Sequence, residues 1–296
     1  MSSHPSITVV IPAYQSAETI ERALKSVALQ TLRPAEVIVI DDGSKDGTAD
    51  IARRATDLFD DSTLTVIEQE NEGPGSARNT GLRRAQTDLV AFLDADDEWL
   101  PDKLERSVAP LAEENVELVA HDIVRMEDGI ESEVLCSKLF LEAEDPFVAL
   151  YRKGLIATST VVARTDALRA VGGFSEILPN AQDFDLWLRV LGPPDRTYRV
   201  IDAPLTRYHI SNNSVTSHTA RRLHCTLAIA EQHVPTLRDR QAAVWTNYWY
   251  RILAVHYESI TVYAKQRRPV QLLWVSCALP VRLIFLSLKL LRAPKE

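Results

Sequence analysis

The fold is decided by a short run near the start of the chain, Ile7-Thr8-Val9-Val10-Ile11. A strand with one face in water alternates apolar with polar residues, whereas this run is almost uniformly apolar, so it predicts a strand buried on both faces. Similar runs recur at 37–40, 64–67 and 89–93, with residues at helical spacing between them. The alternation predicts an α/β fold in which helices flank a mainly parallel sheet.

Composition narrows the class of protein. The chain has 296 residues, 46% of them hydrophobic, which is enough for one large core. Its formal net charge of −8 argues against nucleic acid as a partner, because gripping a phosphate backbone needs a surplus of Lys and Arg. Residues 1–6 are short and polar and lead directly into the first predicted strand, so we expect no targeting signal and a cytoplasmic catalytic part.

Two acidic runs follow predicted strands, Asp41-Asp42-Gly43-Ser44 and Asp94-Ala95-Asp96-Asp97. Carboxylates so close together repel one another unless a cation or hydrogen bonds compensate them, and their hard oxygen atoms suit Mg²⁺ or Mn²⁺. Ligands of open parallel sheets bind beyond the carboxyl ends of the strands, where Asp42 could accept from a base and Tyr14 could stack on it. The alternatives are that these acids form a solvated turn and cap a helix.

The stretch Asn71 to Asn79 runs from a loop into a predicted helix, whose first backbone amides form a natural site for an anion. It lacks the Lys-Ser/Thr of a P-loop and the glycine spacing of a dinucleotide fingerprint. Arg78 adds a positive charge in the first turns of that helix. The alternative is an exposed arginine paired with solvent or with a neighbour.

The rest of the chain is organised differently. Residues 158–162 read as another strand, and beyond about Ser217 only helical patterns continue, so we divide the chain into 1–215 and 216–296. Residues 270–291 are strongly apolar, follow a basic segment, and are interrupted by a proline and an arginine, which favours an interfacial membrane helix over a spanning one. The alternative is a helix docked on protein.

The motifs in this order and at this spacing resemble family 2 inverting glycosyltransferases. The residues that carry the resemblance are Ile7 to Tyr14, Asp41 to Ser44, Asn71 to Asn79, Phe92 to Asp97, Asn180 to Arg189 and Arg207 to His209. The resemblance covers about residues 6–215 and implies the Rossmann-like glycosyltransferase A-type fold. It also implies a nucleotide-sugar donor, a glycan or lipid-linked acceptor, a divalent cation, and a plausible place in bacterial cell-surface polysaccharide synthesis.

By the same resemblance, individual residues receive expected roles. Those expected to hold the nucleotide-sugar are Pro12, Tyr14, Asp42, Arg78 and Asp94. Those expected to contact the metal are Asp96 and His209, the latter alternatively a phosphate contact. Asp183 is expected to be the general base that deprotonates the acceptor hydroxyl.

One residue departs from the family pattern. Gln182 stands where a Glu commonly precedes the base, so Asp183 lacks a neighbouring negative charge that would raise its pKa. The alternative for Asp183 is a helix cap, with Asp185 as the next candidate base. Two other functions stay open at this point, a nucleotide-sugar-binding protein without turnover and a sugar nucleotidyltransferase, although the latter's Gly-rich loop is missing after the first strand.

Overall fold

The computed structural model describes residues 5–127, 129–140, 143–210 and 219–292. The chain forms two compact units, one of residues 1–147 and 155–212 and the other of residues 148–154 and 213–296. The division predicted between residues 215 and 216 lies outside the described residues.

Nine strands of the described residues form a single sheet in the first unit. They are β1 (Ile7–Ala13), β2 (Glu36–Asp41), β3 (Thr63–Glu68), β4 (Leu89–Phe92), β5 (Glu98–Trp99), β6 (Val116–Glu127), β7 (Ile130–Val134), β8 (Val162–Arg164) and β9 (Thr197–His209). Their order is β3-β2-β1-β4-β8-β6-β9-β5, and β7 pairs with β6.

Twelve helices are described. They are α1 (Ile20–Ala28), α2 (Thr48–Arg54), α3 (Pro74–Arg84), α4 (Lys103–Val108), α5 (Ser137–Phe140), α6 (Pro146–Lys153), α7 (Thr165–Ala170), α8 (Gln182–Val190), α9 (Thr219–Gln232), α10 (Val234–Asp239), α11 (Val244–Lys265) and α12 (Pro269–Arg292).

Strand β1 is buried on both faces, as its apolar sequence predicts. Val9 belongs to the core cluster that includes Leu24 of α1 and Leu104 of α4. Val10 points the other way, against α3, where a Cβ on Gly81 would overlap its side chain. Glycine at this position therefore lets α3 lie close against the sheet.

The sheet is parallel in one half and mixed in the other. Strand β1 pairs in parallel with β2 and β4, and β2 pairs in parallel with β3. Strand β8 is antiparallel to β4 and β6, β5 is antiparallel to β9, and β9 is parallel to β6. The predicted α/β fold is confirmed, with more antiparallel pairing than expected, because a hairpin at Gly129 and the short strand β8 replace further strand–helix–strand crossovers.

The strand predicted at residues 158–162 is wrong in its position. Residues Thr158–Thr160 form a 3₁₀ turn, closed by a hydrogen bond from the Val161 amide to the Thr158 carbonyl, and β8 begins only at Val162. A local hydrogen bond favours the turn, because Thr160 Oγ1 donates to the Ala157 carbonyl three residues back, which an extended strand could not reach. Ser159 in this turn becomes important to the acidic run.

Among its described residues, the second unit consists of helices joined by short turns and has no strand. Its last helix, α12, contains Pro280. By length and composition alone, the segment Pro269–Lys289 is apolar enough to cross a membrane, with a mean hydropathy of 1.7.

Candidate functional site

The candidate site begins where three adjacent parallel strands end. In the sheet, Pro12 lies opposite Ile40 and Ala13 lies opposite Asp41, so β1 and β2 end side by side. Strand β4 ends on the other side of β1. The loops that carry Tyr14, Asp42 and Asp94 therefore leave the same edge of the sheet, as the sequence predicts.

Tyr14 and Pro12 differ in exposure. The Tyr14 ring is 54% exposed, whereas Pro12 is half-buried within β1. The amide of Asp42 donates to the carbonyl of Ala13, which fixes the backbone beside the tyrosine. An open aromatic face next to a fixed polar loop can accept a flat ring.

Asp42 is buried and holds the loop before α3. Its carboxylate accepts hydrogen bonds from Gln69 Nε2 at 2.9 Å, the Glu72 amide at 3.0 Å and the Gly73 amide at 2.8 Å. These bonds position the start of α3 relative to β2. A nucleotide contact by Asp42 would use the acceptor capacity that remains.

Arg78 and Asp94 are joined by an ion pair. Arg78 Nη2 lies 2.5 Å from Asp94 Oδ1, and the guanidinium also stands over the ring of Phe174, 5.4 Å from its centre. The Arg78 side chain is 9% exposed and that of Asp94 is 27% exposed. The sequence alternative of a solvated surface arginine is therefore wrong, because this arginine is buried and paired within the site.

Asp96 sits in an environment that disfavours its negative charge. Burial, together with the neighbouring charge of Asp94, raises the pKa of Asp96 to about 6. The guanidinium of Arg22 donates to the backbone carbonyl of Asp96 and holds the loop in place. A carboxylate with a raised pKa gains most from a nearby cation.

Asp97 ties the acidic run to two distant segments, a role that sequence reasoning missed. Its carboxylate accepts from Ser159 Oγ at 2.5 Å and from the His209 amide at 3.0 Å. Ser159 Oγ in turn accepts from the Asp94 amide at 3.1 Å. Burial, and then the charges of Asp96 and Asp94, raise the pKa of Asp97 well above its usual value. The third acid of the run is thus a structural anchor.

The His209 side chain lies beside the acidic run. Its Nε2 atom is buried without a hydrogen-bond partner among the described residues and is 3.6 Å from Glu98 Oε1. Burial, followed by the positive charge of Arg22, lowers the pKa of His209, which favours the neutral imidazole. Neutral imidazole is the form that binds metals. Within the described residues, however, no group of three His, Cys, Asp or Glu side chains is arranged as a metal site.

Asp183 lies in the first turn of α8. Its Oδ1 atom accepts from the Phe184 amide at 2.8 Å, and Thr158 Oγ1 donates to Oδ2 at 3.4 Å. The residue before the helix is Ala181, with a φ of 57°, so Asp183 is not the N-cap although it does bind a first-turn amide. Asp185 is buried and paired with Arg189 at 2.9 Å, which removes it as a free base.

Gln182 places the start of α8 against the start of α3. Its side chain donates to the Leu178 carbonyl at 2.7 Å and covers the Cα of Gly75, where a Cβ would lie 2.8 Å from Gln182 Nε2. The residue that departs from the family pattern therefore has a packing role between two helix N-termini.

Tyr208 connects the two groups of carboxylates. Burial raises the pKa of its half-buried phenol, and so do the negative charges of Asp97, Asp94, Asp96 and Asp183. The two groups also meet at one turn, where Ser159 Oγ donates to Asp97 and Thr158 Oγ1 donates to Asp183. In the sequence Tyr208 lies within the motif Arg207 to His209, but no role of its own was predicted for it.

The mixed sheet, its flanking helices and the polar edge define a glycosyltransferase A-type domain. The structure of mannosyltransferase PcManGT from Pyrobaculum calidifontis, in complex with GDP-Man and Mn²⁺, has the same fold, with a TM-score of 0.64 at 21% identity over 95% of this chain and 81% of that one. The model of glycosyl transferase family 2 matches residues 8–170, more than half of the chain, and the chain belongs to that family.

Two relatives show how far the similarity extends. Glycosyltransferase AglE of Haloferax volcanii is 31% identical over 186 residues, 62% of this chain and 60% of AglE. The putative teichuronic acid biosynthesis glycosyltransferase TuaG of Bacillus subtilis is 29% identical over 218 residues, 72% of this chain and 82% of TuaG. This chain thus spans less than two thirds of AglE and most of TuaG.

Proposed function

We propose that the protein transfers a sugar, with inversion, from a nucleoside diphosphate sugar to a hydroxyl of a glycan or a lipid-linked acceptor. The observation that carries the proposal is that adjacent residues of one turn hold both groups of carboxylates, since Thr158 Oγ1 donates to Asp183 and Ser159 Oγ donates to Asp97. Two carboxylate groups brought this close suit a reaction in which one group acts on a diphosphate and the other on a hydroxyl.

The donor side is built from the ends of β1, β2 and β4. Tyr14 offers an open ring to the base next to Pro12, and Asp42 has acceptor capacity beyond its three loop contacts. Asp94, oriented by Arg78, faces the ribose or the donor sugar. The Arg78 guanidinium balances the negative charge of Asp94. Its positive charge would also lie close to the phosphates of the donor.

A divalent cation, Mn²⁺ or Mg²⁺, fits Asp96 and His209. The carboxylate carries a charge that its surroundings disfavour, and the imidazole has a buried nitrogen with no hydrogen-bond partner in the described part of the chain, so both would gain from a cation. Such ions commonly take one or two protein ligands and complete their shell with phosphate oxygens and water. When bound, the ion would neutralise the charge that develops on the leaving diphosphate.

Asp183 serves as the general base. Hydrogen bonds from the Phe184 amide and Thr158 hold the half-buried carboxylate in place, and a carboxylate can take the proton of an acceptor hydroxyl. The hydroxyl oxygen then forms a bond to the anomeric carbon as the bond from that carbon to phosphate breaks. A single displacement of this kind inverts the configuration.

The biological setting is cell-surface polysaccharide synthesis. The name of TuaG refers to teichuronic acid biosynthesis, and most of TuaG aligns with this chain. A cytoplasmic enzyme with nucleotide-sugar donors would meet lipid-linked acceptors at the inner face of the membrane. We propose that the apolar segment 270–291 makes peripheral contact there.

A donor panel tests the proposal. The protein is freed of metal with a chelator and mixed with UDP-, GDP- and dTDP-sugars, and released nucleoside diphosphate is measured with Mn²⁺, with Mg²⁺ and without metal. We expect slow release from one class of donor, dependent on added metal. Tight donor binding by calorimetry without any release, in the presence of crude glycan and lipid-linked acceptors, would identify a binding protein instead.

A further inference from the structure

The last two helices expose apolar faces. On α11 the exposed side chains recur every fourth residue at Trp245, Trp249, Leu253 and Tyr257, and none of the exposed residues from 245 to 257 is charged. On α12 the exposed large side chains are Val270, Leu273, Trp274, Val281, Ile284, Phe285, Leu288 and Leu291. Exposed residues 269–288 of α12 likewise include no charge, so this helix lacks the polar face of an ordinary surface helix.

Contacts between the helices align these faces. Trp249 Nε1 donates to Ser287 Oγ at 3.0 Å, and an Arg282 nitrogen lies 3.2 Å from His256 Nε2. Trp249 precedes His256 on α11, whereas its partner Ser287 follows Arg282 on α12. The two helices are therefore antiparallel. The exposed faces adjoin along the edge marked by Trp249 and Ser287.

The polar content of α11 limits how the pair can meet a membrane. Asn247, Arg251, His256 and Ser259 of α11 are all buried, and the helical spacing places Asn247 and Arg251 on the side opposite its apolar face. Passing α11 through hydrocarbon would bury these groups in lipid, and separating α12 from α11 would break the contact of Arg282 with His256. The pair therefore fits a position in the plane of the membrane surface.

Charge identifies the occupant of this surface. Residues 213–296 contain twelve Lys and Arg and four Asp and Glu, a formal charge of +8, although the whole chain carries −8. Lys265, Arg267 and Arg268 are exposed at the turn between α11 and α12. The uncharged apolar faces are thus flanked by positive charge, which anionic lipid headgroups complement and a second copy of the same basic segment would repel.

We propose that the exposed faces of α11 and α12 form one docking surface for an anionic lipid bilayer, with the aromatic stripe of α11 at headgroup level. Tryptophan and tyrosine favour that region because they combine an apolar ring with a polar atom. The inference rests on the proposed membrane contact of segment 270–291 and deepens it, since it adds α11 and fixes the orientation of α12 along the membrane surface.

Two double variants of the full-length protein test the surface, L253S/Y257S on α11 and I284S/F285S on α12. The control is I130S/I177S, which removes exposed apolar side chains from the first unit. Binding is measured by co-sedimentation with phosphatidylglycerol–phosphatidylcholine vesicles and with phosphatidylcholine vesicles alone. We expect wild type to prefer the anionic vesicles, each helix variant to bind them about tenfold or more weakly, and the control to bind like wild type.

The outcomes separate this surface from the enzymatic proposal. Circular dichroism and donor hydrolysis in lipid-free buffer should be unchanged in all variants. If only I284S/F285S weakens binding, or if wild type binds both vesicle types equally, the two-helix anionic surface is refuted. If light scattering finds a dimer that the variants dissociate, without any vesicle binding by wild type, the occupant is a second copy. Should a double variant misfold, the single variant Tyr257→Ser replaces it, because this side chain is 71% exposed and its loss should not affect folding. It should also bind the anionic vesicles more weakly than wild type.

Discussion

Asp183→Asn should lower the rate of sugar transfer by about 10²–10⁴-fold while nucleotide-sugar binding is retained. The loss follows because Asn cannot take a proton from the acceptor. The fold should be kept, since the Asn side-chain oxygen can still accept from the Phe184 amide. Transfer rates, donor affinity by calorimetry and thermal unfolding together measure the three expectations.

The matched control for this change is Asp166→Asn. Asp166 is also an acid in the first turn of a helix, α7, but it is exposed. It should transfer sugar at the wild-type rate. Near wild-type transfer by Asp183→Asn, or loss of its fold together with its activity, would make Asp183 a structural acid, and the ion-paired Asp185 would not replace it as a base.

Asp96→Asn should remove metal-dependent turnover, by about 10²-fold or more, and should also weaken metal-dependent binding of the donor. Asn has one oxygen and no charge with which to hold a cation. Thermal stability should be kept or should rise, because the change removes a partly buried charge next to Asp94. Chelator-treated protein titrated with Mn²⁺ and donor measures both effects.

Asp102→Asn is the control for the metal assignment. Asp102 lies six residues further on, at the start of α4, and its side chain is 47% exposed. Wild-type activity of Asp96→Asn in Mn²⁺-supplemented buffer contradicts the assignment. The contrast with Asp183→Asn is informative, because only the Asp96 change should affect donor binding.

The parts of the fold that can be predicted from the sequence are those that depend on interactions between residues close together in the chain. The strands β1, β2 and β4 are predictable because burial on both faces leaves a continuous apolar run in each. The edge strand β3 is only half-buried, and its apolar run at 64–67 is what predicts it. The other half depends on the pairing of β6 with β9, which starts with Val116 opposite Thr197. No local pattern contains such a long-range register.

In the candidate site, too, the residues at strand ends could be predicted and the long-range contacts could not. Asp42, Asp94 and Asp96 can be predicted because each follows a strand end, and the structure brings their loops to one edge. The anchoring of Asp97 by Ser159 and His209 could not be predicted, because the three residues meet only after β8 and β9 have joined the sheet. Tyr208 was overlooked for the same reason, although its position beside His209 was a usable signal.

The central claim is that Asp183 and the Asp94 to Asp96 run act on opposite sides of one anomeric carbon in a single displacement. Slow hydrolysis of an α-linked donor tests it without knowledge of the acceptor, because water takes the place of the acceptor hydroxyl. Proton NMR, recorded before the free sugar mutarotates, gives the configuration of the first product. A single displacement gives the β anomer first, and the α anomer as first product would contradict it.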